Sequence, residues 1–96
     1  MLFRSSVDIG NRPYQDKLVI ENTVIRTFDE NIDPIELMWH RDDEDRIIES
    51  VNPTNWLIQF ENELPVSMDR PIFIPRHTWH RTIKGNGSLI IKIQKL

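Results

Sequence analysis

The sequence predicts an all-β protein, an antiparallel sandwich or barrel. Short runs rich in branched and aromatic residues recur along the chain, and clusters of turn residues separate them. No long window carries the apolar period of a helix. About eight short strands spaced by turns make an antiparallel sandwich or barrel, since each must pair with neighbours and bury one face.

Residues 1–17 are mixed and polar, contain Gly10 and Pro13, and read as an amino-terminal arm with at most one short strand. From Leu18 the pattern changes. Leu18-Val19-Ile20 and Val24 to Phe28 read as two strands across the turn residues Glu21-Asn22-Thr23. Ile35 to Asp42, following Pro34, reads as a third, and Arg46 to Val51 runs on to the breaker Asn52-Pro53-Thr54-Asn55. Trp56, Ile58 and Phe60 alternate with Leu57 and Gln59, so one face of that strand is strongly apolar. Prolines 71 and 75 bracket Ile72-Phe73-Ile74, a short strand. Thr78 to Lys84 leads into Gly85-Asn86-Gly87, which predicts a hairpin closed by Ser88 to Gln94 with Leu89, Ile91 and Ile93 on one face.

Ninety-six residues hold one domain with one core. We therefore expect a single unit over 1–96, with the arm at 1–17 and the β-barrel at 18–96. There are no cysteines, so disulfides, thiolate zinc sites and cysteine nucleophiles are excluded, and any metal must be held by histidine and oxygen. A net charge of -3 argues against a phosphate-tracking surface, and nucleic acid is not expected as a partner. No apolar segment approaches the length needed to cross a bilayer, so no membrane association and a cytoplasmic location are expected. Neither a phosphate-cradling glycine loop nor a serine nucleophile motif is present.

The stretch Trp39-His40-Arg41-Asp42-Asp43-Glu44-Asp45-Arg46 carries the chemistry. On an extended segment, His40 and Asp42 point to one side while Trp39 and Arg41 point to the other. Near the far end, His80 shares a side with Thr78 and Thr82, opposite Trp79 and Ile83. If these segments are neighbours, His40, Asp42 and His80 converge. Two imidazoles and a carboxylate on a sheet suit iron(II), with positions left open, and equally zinc, nickel or manganese. The simpler alternative is a pair of strand histidines hydrogen-bonded to neighbours, with Asp42 capping a turn. Only Asp42 in the acidic run has a geometric reason to turn inward.

Pro75-Arg76-His77-Thr78-Trp79-His80, preceded by the strand Ile72-Phe73-Ile74, resembles the second sequence motif of the cupin superfamily, and His40-Arg41-Asp42 resembles the start of its first. The resemblance covers roughly residues 36–93 and points to the short stand-alone cupins. It implies a small antiparallel jelly-roll β-barrel with a pocket, a divalent metal held by His40, Asp42 and His80, and a homodimer. Three departures from the pattern bear on the site. His77 stands where glycine is usual, and Asp42 replaces the second histidine while keeping a metal-binding atom. Arg46 stands where the family has a glutamate ligand; sliding the alignment by one residue puts Asp45 there instead.

A guanidinium about 5 Å from a divalent ion would be repelled by roughly 6 to 7 kcal/mol at an effective dielectric of 20. Arg46 therefore either turns outward or pairs with Glu44, Asp45 or Glu49, or it points inward to pair with Asp42 or Glu36 or to anchor an anionic substrate through its forked donors. His77 and Trp56 are the further candidates for substrate contact, the first as a loop side chain near His80 and the second as a stacking wall; core packing is the alternative for Trp56. Trp39, Trp79 and Ile83 face outward and need a cover, from the amino-terminal strands or from a partner subunit.

Two functional expectations follow. One is a metal-dependent pocket that takes a small polar or anionic molecule. The other is a metal-free module that recognises a sugar, nucleotide or acidic metabolite, or a dimeric interaction protein working through its outer tryptophans. A cupin-like fold supports many activities on one barrel, so the reaction, if there is one, is not specified.

Overall fold

A computed structural model describes residues 14–96; the rest of the expected arm, residues 1–13, lies outside the described residues. Eight strands run in the order β1 (Tyr14–Ile20), β2 (Thr23–Phe28), β3 (Arg46–Ser50), β4 (Leu57–Phe60), β5 (Val66–Ser67), β6 (Ile72–Ile74), β7 (His80–Ile83) and β8 (Leu89–Lys95). They form two antiparallel sheets, β1-β2-β8-β3-β6 and β5-β4-β7. The all-β antiparallel expectation is met. The strand order is that of a jelly roll, although the two sheets are not closed into one continuous ladder.

Burial follows the alternation in the sequence. Leu89, Ile91 and Ile93 on β8 are at most 4% exposed while Lys92 and Gln94 face out. Burying each such side chain stabilises the fold by about 1.5 to 3 kcal/mol, which sets the register of β8 between β2 and β3. Phe28, Ile48, Ile58, Met68 and Ile74 complete the layer between the sheets. Trp56, wholly buried, tilts against Phe28 at 5.9 Å between ring centroids.

Three elements differ from expectation. β1 includes Tyr14 to Lys17, ahead of the expected Leu18, because Asp16 pairs directly with Arg26 across the β1-β2 ladder and Tyr14 packs on Phe28. Ile35 to Asp42 is not a strand. Asp33 caps a 3-10 turn over Pro34–Glu36 by accepting from the Ile35 N–H at 3.0 Å, and the chain then meets β7 at one bridge only, His40 with His80. Proline and the Asp33 cap favour the turn over extension.

Gly85-Asn86-Gly87 does not close a hairpin either, since β7 and β8 belong to different sheets. The loop docks on Trp56 instead. Its indole Nε1 donates to the carbonyls of Asn86 (3.3 Å) and Gly87 (3.0 Å), and the Asn86 N–H donates to Asn55 Oδ1 at 2.8 Å. A Cβ on Gly85 would collide with Asn55 and lie 2.7 Å from the Trp56 nitrogen, so glycine there permits the approach.

Candidate metal centre

His40 and His80 form a hydrogen-bonded bridge pair, each backbone N–H donating to the other's carbonyl at 2.9 Å. Residues directly opposite in an antiparallel pair present their side chains to the same face, and the two rings lie 4.3 Å apart edge to face. Asp42 follows two residues after His40, and its carbonyl accepts from the His77 N–H at 2.7 Å, which ties this segment to the loop before β7. The side-by-side arrangement expected from spacing therefore holds. Ligand atoms from His40, Asp42 and His80 all lie within 4.8 Å of one another.

The protonation pattern of the rings follows from their partners. His80 Nδ1 lies 2.7 Å from the Thr78 carbonyl, and His40 Nδ1 lies 3.1 Å from the Met38 carbonyl. A carbonyl only accepts, so each Nδ1 carries its hydrogen and each Nε2 is left for something else. That second contact, N–H to a backbone carbonyl, is what fixes a metal-binding imidazole in its tautomer.

Asp42 Oδ2 sits 3.3 Å from His80 Nε2 and is buried without a hydrogen-bond partner among the described residues. A lone pair facing a carboxylate oxygen is repulsive, so the gap calls for a proton or a cation. Two ligands about 2.1 Å from a common ion stand roughly 3.0 to 3.4 Å apart, and the His80–Asp42 pair already has that spacing. His40 is the more exposed of the two histidines, while His80 is 4% exposed. The donor set fits a divalent ion.

Arg46 turns inward and is neutralised where it stands. Its Nε and Nη2 reach Glu44 Oε1 at 3.3 and 3.0 Å, and Nη1 lies 3.4 Å from Asp42 Oδ2. Both donor edges of the guanidinium thus face carboxylates, and Glu44 offsets the charge that would oppose a cation. Asp45, the alternative from the shifted alignment, is turned to the loop, where its carboxylate accepts from the Arg76 N–H at 2.8 Å.

Burial alone would raise the Asp42 carboxyl, but His80 and the charges of Arg46 and His40 outweigh it and hold it below the ordinary 3.8. His40 is lowered from 6.5, chiefly by desolvation and also by His80 and Arg26, against the raising effects of the Met38 carbonyl and Asp42. The unfolded chain then binds more protons than the folded one in both windows, so stability rises with pH in each. Acidification should cost stability first as pH falls below 6.5 toward the folded value of His40, and again below 3.8 as Asp42 protonates. Denaturant midpoints measured from pH 8 to pH 3 should fall in both windows, and Asp42→Asn should remove the lower step.

These groups open on a cavity of about 370 Å³ between the sheets, with apolar walls that include Phe28, Leu37, Ile58, Ile91 and Ile93. That is a size for a small molecule. Two candidate contact residues lie elsewhere. Trp56 is fully buried in the core and does not line the cavity, because its indole is committed to the Asn86–Gly87 loop. His77 is exposed on the outer side beside Phe73 and Trp79, with Nε2 3.6 Å from Asp43.

Sequence reasoning passed over Tyr14 and Arg26, which line the cavity. The signal was present in period two: Arg26 is the lone charge between the inward-facing Val24 and Phe28.

No family model matches the sequence, and no curated protein matches it. Solved structures do. KdgF from Halomonas sp. superposes with a TM-score of 0.64 at 22% identity, over 86% of this chain and 80% of that one. A cupin-2 domain containing protein from Shewanella frigidimarina matches at 0.60 and 14% identity, over 100% of this chain and 94% of that one. The chain has the cupin fold. A further cupin-fold match is Fe(II)-HppE with an alternative substrate, at 0.61 and 11% identity, where this chain corresponds to 86% of itself but only 48% of that protein.

The resemblance of residues 75–80 to the second cupin motif makes sense of His77. Its φ is 64°, the left-handed conformation, at the position where the second cupin motif carries glycine. Replacing His77 with glycine should therefore stabilise the protein by up to about 1 kcal/mol in chemical unfolding, with no change in metal content.

Proposed function

We propose that this cupin-fold protein holds one divalent metal, iron, zinc, nickel or manganese, through His40, Asp42 and His80, and binds a small polar or anionic molecule in the adjoining cavity. The observation that carries this reading is the pair of imidazoles whose Nδ1 atoms are spent on the Met38 and Thr78 carbonyls, beside a buried carboxylate oxygen that has no hydrogen-bond partner among the described residues. An Fe(II) protein among the similar folds supports keeping iron among the candidates. When bound, such an ion supplies Lewis acidity at coordination positions left open by three protein ligands.

The chain's own residues do the rest. His80 and Asp42 are held rigidly by β7 and by the His77 contact. Arg46 and Glu44 keep the charge around Asp42 balanced, and apolar side chains supply much of the cavity wall. Untagged protein purified without chelator should contain about one equivalent of a transition metal by elemental analysis; substoichiometric traces in protein refolded with each metal would overturn the reading.

A metal-free alternative draws support from one contact, the 3.4 Å approach of Arg46 Nη1 to Asp42 Oδ2. There a proton on His80 bridges to Asp42, and the cavity takes a sugar, nucleotide or acidic metabolite directly. Chelator-treated protein that keeps its ligand-induced thermal stabilisation would favour this alternative.

The outer face carries Trp39 and Trp79, each 40% exposed, with Arg81 stacked over Trp39 and Arg41 over Trp79. We infer that this face is covered in a homodimer. Sedimentation equilibrium should return twice the mass of 11.5 kDa, and Trp79→Glu should return the monomer.

A further inference from the structure

Arg26 is a charge kept where a strand would ordinarily place an apolar residue. It sits on the inward face of β2 between the buried Val24 and Phe28, and its side chain is 13% exposed. Burying a guanidinium costs several kcal/mol unless it is paired, so its presence on a cavity wall requires an account. Part of the account is structural. Asp16, its direct cross-strand neighbour on β1, receives Nε at 2.8 Å and Nη2 at 3.0 Å, and the guanidinium lies 3.7 Å above the Tyr14 ring. These contacts fix its plane and neutralise its charge.

They do not use all of its donors. Asp16 takes the Nε–Nη2 edge, which leaves the Nη1–Nη2 edge with two parallel N–H groups, the fork that matches one carboxylate. Among the described residues no acceptor meets Nη1 of Arg26. Arg46 differs on this point, because Glu44 and Asp42 occupy both of its edges. Of the two arginines lining the cavity, Arg26 is the one with an edge to offer.

We propose that Arg26 receives the negative end of the ligand, and that the ligand is a small molecule with a carboxylate on an apolar body. This rests on the reading that the cavity is the binding site, and it moves the anion anchor from Arg46 to Arg26. The cavity supplies the other half of the match: Phe28, Leu37, Ile58 and Ile91 line it together with Arg26 and the His40–Asp42–His80 group. A single fork suits a planar carboxylate, whereas a phosphate would leave two further oxygens facing apolar side chains. Asp16 and Tyr14 are positioning residues here, since they hold the fork and do not meet the ligand through it.

The test uses full-length protein loaded with zinc and three probes: 4-hydroxybutyrate, its uncharged amide, and inorganic phosphate. Calorimetry on wild-type protein should show the carboxylate binding about ten- to a hundredfold tighter than the amide, the loss expected when a charged hydrogen-bond pair is removed. This contrast needs no variant to fold. Arg26→Gln should erase the difference while zinc content stays at the wild-type level. No binding of 4-hydroxybutyrate, equal binding of the amide, tighter binding of phosphate, or an undiminished preference in folded Arg26→Gln would each overturn the proposal. Failure of the metal reading has a separate signature, because zinc would then be absent from wild-type protein, and repeating the titrations without metal would still read the role of Arg26.

Discussion

Protein carrying His80→Ala should purify folded and lose its metal. The imidazole supplies one of three ligands, and its removal should weaken metal affinity by more than about a hundredfold, beyond the effect of losing a partner that merely orients a ligand. The fold should survive. Backbone bonds to His40 hold β7 in place without the ring, and Asp42 keeps Arg46 at 3.4 Å, so no buried charge is abandoned. We expect a stability loss of about 1 to 3 kcal/mol. Elemental analysis and circular dichroism on the same preparation check both halves. Full retention of metal in folded His80→Ala would remove the centre from consideration.

The largest effect on stability should come from Trp56→Ala, at about 3 to 5 kcal/mol. Trp56 is 0% exposed, and it both fills the space beside Phe28 and holds the loop between β7 and β8 through its indole nitrogen. Small domains are stabilised by only about 5 to 15 kcal/mol in total, so this one change removes a large share. Phe73→Ala is the control. That ring is 52% exposed, and its loss should stay within about 0.5 kcal/mol. Urea unfolding of the two variants beside the wild type would separate a core tryptophan from one available to a ligand. A fall of under about 1 kcal/mol for Trp56→Ala would contradict the packing described.

Much of the architecture was legible because period-two burial is local. Leu89, Ile91 and Ile93 announce a half-buried strand by themselves, and Ile58 and Ile74 do so within shorter runs. Turn residues such as Asn22, with φ at 64°, mark their own position for the same reason. The segment from Ile35 to Asp42 was misread because its alternation is real while its pairing is not. A strand needs a neighbour along its length, and this stretch meets β7 at a single bridge.

Gly85-Asn86-Gly87 failed in a related way. Those residues do bend the chain, but a bend is a hairpin only if the flanking strands pair, and Trp56 draws this loop aside. Similarly, alternation placed Trp56 correctly on the inward face, yet facing inward does not distinguish the core from a cavity wall. His77 sits close to His80 in sequence and outside the cavity in space, because its own left-handed backbone, with φ at 64°, turns the chain at that point.

Residue identity and spacing by themselves determined that the chain is all-β, that no thiol chemistry is available, and that His40 and Asp42 share a side. These depend on what each residue is and on the geometry of its nearest neighbours. Only the tertiary structure decided that His40 and His80 bridge, that Asp42 has a buried oxygen without a hydrogen bond among the described residues, and that Arg46 is spent on carboxylates while Arg26 keeps an open edge. Those properties depend on distances between residues tens of positions apart, and such distances come from sheet pairing and burial acting on the whole chain.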